Sequence, residues 1–152
     1  MKLQISTRLA LYSVLLLASD PRRQFAAAEI AERFGFSVNH LAKVLRTLGR
    51  AGLVEAVRGA GGGYRFRGNA KRVALLDVIQ LFEDTAGAPR DDDPGVTADE
   101  GRALRRVLDE IDEIAQATLR SVTLATMLKL MQEPPAPAET PAPPPARAQR
   151  TR

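Results

Sequence analysis

The sequence contains no cysteine among its 152 residues. That excludes disulfides, thiolate-held metals and ordinary iron–sulfur clusters, all of which need cysteine sulfur. A chain without disulfides suits a reducing cytoplasm, which is the expected location. Histidine occurs once, as His40. A lone imidazole with no thiol and no local carboxylate offers neither a metal-ligand set nor an acid–base pair, and no nucleophile–base–acid pattern appears elsewhere. Neither an enzyme nor a bound cofactor or metal is expected. Long apolar runs are also missing. The leucine-rich stretch 9–18 falls short of the roughly 20 apolar residues that cross a bilayer. It follows Lys2 and Arg8 as the apolar part of a signal peptide would, but no small-x-small cleavage site comes after it, and Ala18-Ser19-Asp20-Pro21 reads as a helix end and turn. Proline is scarce until residue 134, where 7 of the 10 prolines crowd into residues 134–145. A Pro/Ala-rich stretch cannot build a packed core, so residues 133–152 are expected to form a disordered tail.

What is present is divided unevenly by charge. Residues 1–72 hold 13 Lys/Arg against 4 Asp/Glu, whereas residues 73–133 hold 6 against 13. The net charge of +4 therefore hides a basic half joined to an acidic one. A basic module of this kind binds polyanions.

Periodicity gives the elements. A first helix is expected over residues 5–18, with Ser6 or Thr7 able to cap it. A second is expected over 27–34, ended by Gly35, and a third over 38–51, capped by Ser37 and ended by Gly52. Leu41, Val44, Leu45 and Leu48 fall on one face of the third helix. Asn39, Lys43, Arg46 and Arg50 fall on another face that carries no acid. Two short strand-like runs, 53–57 and 64–67, flank Arg58-Gly59-Ala60-Gly61-Gly62-Gly63, which reads as a hairpin with a glycine-rich tip. A helix over 75–84 follows, then an acidic loop over 85–96 containing Asp91-Asp92-Asp93. A long helix is expected over 97–132, with Leu104, Leu108, Ile111, Ala115 and Val122 among the residues of a seam spaced by four and three.

Helix, glycine turn, helix and hairpin, in that order, make a winged helix-turn-helix. The expected fold is mainly α with a small β-hairpin wing, occupying residues 1–84, plus a long C-terminal dimerisation helix. A helix fits the DNA major groove, where Asn can pair with adenine and Lys or Arg with guanine. Asn39, His40 and Lys43, at the N-terminal end, are the candidates for base contact. Arg46 and Arg50 are candidates for phosphate contact, and Ser37 is a further candidate DNA-binding residue. Arg58 and Arg65 flank the hairpin tip, where Gly61 and Gly62 allow close approach to a sugar–phosphate wall. An arginine there can enter the minor groove. The glycine run is not a nucleotide-binding loop, because a strand follows it and no Gly-Lys-Ser/Thr ending is present. The Asp91-Asp92-Asp93 run reads as a solvated loop rather than a cation site.

At these residues the chain resembles the Rrf2 (Rrf-two) family of winged-helix transcription regulators, in its NsrR/IscR-like form, over about residues 3–130. The resemblance is carried by Ala28-Glu29-Ile30-Ala31-Glu32-Arg33-Phe34-Gly35, by Asn39-His40-Leu41-Ala42-Lys43-Val44, by Val57-Arg58-Gly59-Ala60-Gly61-Gly62-Gly63 and by Val122-Thr123-Leu124-Ala125. It implies a homodimer whose long helices cross between subunits, placing two recognition helices on a near-palindromic operator in double-stranded DNA, usually to repress. Cluster-binding members carry cysteine ligands in the loop before the long helix. The matching region here, about residues 85–101, has none, and Arg8 and Tyr12 are poor substitutes on the first helix. Cluster binding is therefore not carried over, and any signal must come through an unidentified small ligand, a partner protein or the regulator's own concentration. Family members often place Ser or Thr before the second helix where this chain has Ala26-Ala27, a missing cap worth around 1 kcal/mol. The rival reading is a protein-interaction module on the same scaffold that no longer reads DNA.

Overall fold

The computed structural model of the chain describes residues 2–83, 95 and 97–134. Most of the acidic loop expected over 85–96, and the tail beyond residue 134, lie outside them. The described elements run α1 (Ile5–Ser19), α2 (Ala27–Phe34), α3 (Val38–Arg50), β1 (Val54–Val57), β2 (Gly63–Phe66), α4 (Leu75–Ile79), α5 (Asp99–Ser121) and α6 (Leu124–Gln132).

Helix α1 is the spine. Its leucine-rich run buries Leu9, Ala10, Val14, Leu16, Leu17 and Ala18. Helix α1 meets α2, α3, α4, α6 and β2, so the stretch is part of the core. Neither Ser6 nor Thr7 caps the helix: Gln4 occupies the cap position without a side-chain bond, Thr7 is buried, and Ser6 is used elsewhere. Among the described residues, no helix is long and apolar enough to cross a membrane.

Leu41, Leu45 and Leu48 of α3 are fully buried beside Ile30 of α2 and Leu9 and Leu17 of α1. Each such side chain contributes about 1.5–3 kcal/mol relative to leaving it exposed. This burial locks α3 against α1 and turns its opposite face outward. The strands pair antiparallel, with Val54 opposite Phe66, Glu55 opposite Arg65, Ala56 opposite Tyr64 and Val57 opposite Gly63. Phe25, in the α1–α2 connection, adds an isolated antiparallel bridge to β2. Its N–H donates to the Tyr64 carbonyl (2.9 Å), and the Tyr64 N–H donates back to the Phe25 carbonyl (2.8 Å). A Cβ at Gly63 would overlap the Phe25 carbonyl oxygen, so only glycine fits where these backbones meet.

The fourth helix is shorter than its periodicity suggests. Regular α-helix stops at Ile79, and turn-type bonds carry the chain on through Phe82 and Glu83. The long C-terminal helix is interrupted. Instead of one helix over 97–132, α5 ends at Ser121 and α6 begins at Leu124. Val122 and Thr123 are extended (ψ 111° and 164°). Two causes are visible. Thr123 is a side-chain cap, accepting from the Thr126 N–H at 3.2 Å. The extended pair is also held by residues 70–75: Leu75 N–H donates to the Val122 carbonyl (2.9 Å), Leu124 N–H to the Val73 carbonyl (2.9 Å) and Ala125 N–H to the Ala70 carbonyl (2.8 Å). Val122, expected as a seam residue of the long helix, is thus its C-terminal cap. Leu124, just beyond, is fully buried in the core.

Candidate nucleic-acid interface

The turn between α2 and α3 rests on Gly35, whose φ of 71° is left-handed backbone that glycine enters without penalty. The chain reverses there, with the Phe36 N–H donating to the Ala31 carbonyl at 3.0 Å. Ser37 then caps α3, its hydroxyl accepting from the His40 N–H at 3.2 Å. Helix α3 contains no acidic residue. Asn39, Lys43, Arg46 and Arg50 are all exposed on it, while Leu41, Val44, Leu45 and Leu48 are buried. The two-faced helix read from the sequence is therefore the one that forms, and it displays a continuous cationic ridge to solvent.

His40 departs from its expected place among the base-contacting residues. Its ring is half-buried, with Nε2 3.0 Å from the Ser6 hydroxyl of α1. Phe36 meets it edge-on, with ring centroids 6.2 Å apart. Sequence reading missed Ser6 in this role because a contact across 34 positions leaves no local pattern.

The hairpin follows α3 directly. Its tip turns through Gly59 and Gly61, both at positive φ, and closes with the Gly62 N–H on the Gly59 carbonyl at 2.9 Å. Arg58 is exposed at the tip and has no side-chain partner among the described residues. Arg65 differs: it forms an ion pair with Glu55, its cross-strand neighbour. The pair is partly exposed and adds little stability. It does neutralise Arg65, leaving Arg58 and the exposed Arg67 as the hairpin's uncompensated cations.

The seam residues on α5 lie open. Leu104, Leu108 and Ile111 are 59%, 51% and 55% exposed, and no residue of α5 is buried within the chain. Ala115 is half-buried. Sequence reading missed Val107 and Ile114, which are 53% and 61% exposed and widen the same apolar stripe. Their spacing of three from Leu104 and Ile111 was the available signal.

A helix-turn-helix with an exposed basic second helix, followed by a short antiparallel wing, defines a winged-helix DNA-binding protein. Comparison with known proteins narrows the class. The chain belongs to the Rrf2 family, whose model, described as an iron-dependent transcriptional regulator, matches residues 3–130. It is 56% identical over 131 residues to the HTH-type transcriptional regulator BadM of Rhodopseudomonas palustris, covering 86% of this chain and 83% of that protein. Among solved structures it is similar to T. potens IscR (TM-score 0.69, 26% identity, 86% of this chain and 88% of that one). It also shares the fold of CymR, the global cysteine regulator of B. subtilis (TM-score 0.71, 23% identity, 86% and 98%). The protein is a DNA-binding transcriptional regulator and not an enzyme.

The family description raises the question of iron. The chain has no cysteine to supply thiolate. Among the described residues no group of three or more His, Cys, Asp or Glu side chains comes close enough to hold a metal ion. These residues do not fit a thiolate-held iron centre.

Proposed function

We propose that the protein is a homodimeric, sequence-specific repressor. It works in the cytoplasm and binds a near-palindromic operator without an iron–sulfur cluster. The observation that carries this reading is the acid-free exposed face of α3, where Asn39, Lys43, Arg46 and Arg50 stand on a helix locked from behind by Leu41, Val44, Leu45 and Leu48. In the major groove, Asn39 pairs with adenine and Lys43 with guanine. Arg46 and Arg50, further along, meet phosphates and set the register. Arg58, free at the glycine tip, enters the adjacent minor groove. Homodimerisation is supported by the apolar stripe on α5, which no other described residue buries. A bound dimer occludes the DNA it covers, which is the simplest route to repression.

The test is selection of bound duplexes from a random DNA pool by the purified protein, without added metal, at near-physiological salt. A two-fold symmetric motif with half-sites about one helical turn apart is expected. Recovery of only sequence-indifferent binding that vanishes with salt would remove the proposal.

A further inference from the structure

We infer that Val38 reads a thymine methyl group in the major groove, beside the adenine that Asn39 takes. This rests on the sequence-specific reading of α3 and adds to it a specificity residue that forms no hydrogen bond.

Val38 is the one large apolar side chain of α3 left in solvent, at 48% exposed, whereas Leu41, Val44, Leu45 and Leu48 are buried behind it. Nothing in the fold accounts for a valine there. Its β-branched side chain lowers helix preference. The first turn of a helix favours acidic groups, and α3 has none there. About half of the residue's surface stays in water, so the fold recovers only part of the burial that normally places a valine. The residue suits a surface met on binding.

Its position is fixed on both sides. Ser37 caps the helix through the His40 N–H at 3.2 Å, and the His40 ring lies 3.0 Å from the Ser6 hydroxyl of α1. Val38 sits between cap and ring, so its backbone is held without any bond from its own side chain. Ser37, Val38 and Asn39 are exposed in succession at the leading end of the helix. Ala42 lies one turn further on the same side. A helical side chain covers the turn before its own, and Ala42 has only a methyl group to cover Val38 with.

The chemistry then selects the base. Val38 has no donor or acceptor, so it is blind to the polar edges that Asn39 and Lys43 read. Among the groups that the base pairs present in the major groove, one is apolar, the C5 methyl of thymine. A stiff valine with few rotamers to lose meets that methyl at little entropic cost. Cytosine in its place would press an amino group against valine with no acceptor. Neighbouring Cα atoms stand about 3.8 Å apart and neighbouring bases about 3.4 Å. A thymine within one step of the Asn39 adenine therefore falls within reach of Val38.

The experiment deletes the methyl from each partner in turn, on duplexes that carry the selected motif. Each thymine is replaced by uracil, which lacks the C5 methyl and keeps every hydrogen-bonding edge. Affinity is read by fluorescence anisotropy for the wild type and for Val38→Ala. Wild type should lose about fourfold affinity per half-site at one thymine position, the effect of one methyl-sized group leaving an apolar contact. That position should adjoin the adenine for which Asn39→Ala loses preference. Val38→Ala should bind the thymine duplex more weakly by a similar factor and should then be indifferent to uracil at that position. Its melting temperature should stay within about 2 °C of wild type, showing that a contact and not the fold was lost. Equal uracil losses in both proteins, or no thymine at which uracil weakens binding, would overturn the inference and leave sequence-specific binding standing. Failure to recover any motif would remove both.

Discussion

The imidazole Nε2 of His40 lies 3.0 Å from the Ser6 hydroxyl, joining the first turn of the recognition helix to the first turn of α1. The bond fixes the rotation of α3 at the end that enters the groove. Removing it with Ser6→Ala deletes one half-buried hydrogen bond, worth about 0.5–1.5 kcal/mol. The melting temperature should fall by about 2–4 °C per kcal/mol lost. If His40 serves to orient the helix, selected DNA motifs should be unchanged. A changed motif in the Ser6→Ala protein would return His40 to the readers.

Lys43 and Arg50 should fail differently. On the proposed reading, Lys43→Ala removes a base contact and should cost about 1–3 kcal/mol of affinity for the selected motif, relaxing preference at one position of each half-site. On the same reading, Arg50→Ala removes a phosphate contact. Affinity should drop evenly across sequences, and the slope of log K against log salt should become shallower by about one per site. Fluorescence anisotropy titrations at several salt concentrations separate the two. Identical behaviour of the two variants would mean that α3 does not lie along the groove in this direction.

Gly63 and Gly49 make a contrasting pair. A methyl group at Gly63 would collide with the Phe25 carbonyl, so Gly63→Ala must break the Phe25–Tyr64 bridge and should cost about 1–3 kcal/mol. At Gly49, within α3, the nearest atom to an added Cβ is the Val54 carbonyl oxygen at 3.7 Å, an ordinary contact. Gly49→Ala should therefore stabilise the fold by about 0.5–1 kcal/mol through its helix preference. Chemical denaturation of the two proteins should move the midpoints in opposite directions.

Ser13 on α1 is fully buried, and its hydroxyl has no hydrogen-bond partner among the described residues. An unpaired buried hydroxyl is a cost, of about 1–3 kcal/mol. Ser13→Ala should leave stability unchanged or raise it. A loss above about 1 kcal/mol in calorimetry would show that the hydroxyl has a partner after all.

The DNA-binding half was readable because its signals are local. Gly35, Ser37 and the apolar spacing of α3 each act within one or two turns, and α2 occupies the residues its pattern predicts. The C-terminal half was harder. The apolar spacing continues across Val122 and Thr123, so nothing periodic marks the break. What decides it is the backbone pairing of these residues with residues 73–75, about fifty positions earlier in the chain. Thr123 as a cap was the one local hint, and a threonine within a helical pattern is ordinary enough to pass unread. The side-chain partners of the interface escaped for a related reason. Ser6 with His40 depends on how α1 and α3 cross, and Glu55 with Arg65 depends on strand register, which a loop of uncertain turn type leaves open.

The break at Val122 and Thr123 gives α5 the mechanics of a lever. Its fulcrum is stitched by backbone bonds to the segment that follows the wing, and its arm of 23 residues extends about 34 Å. A tilt of about 10° at the fulcrum swings the far end by about 6 Å, close to two base-pair steps of about 3.4 Å. In the proposed dimer, whatever grips the arm of one subunit therefore dictates how far apart the two reading heads stand. On that reading, operator spacing is set at a joint outside the reading helix.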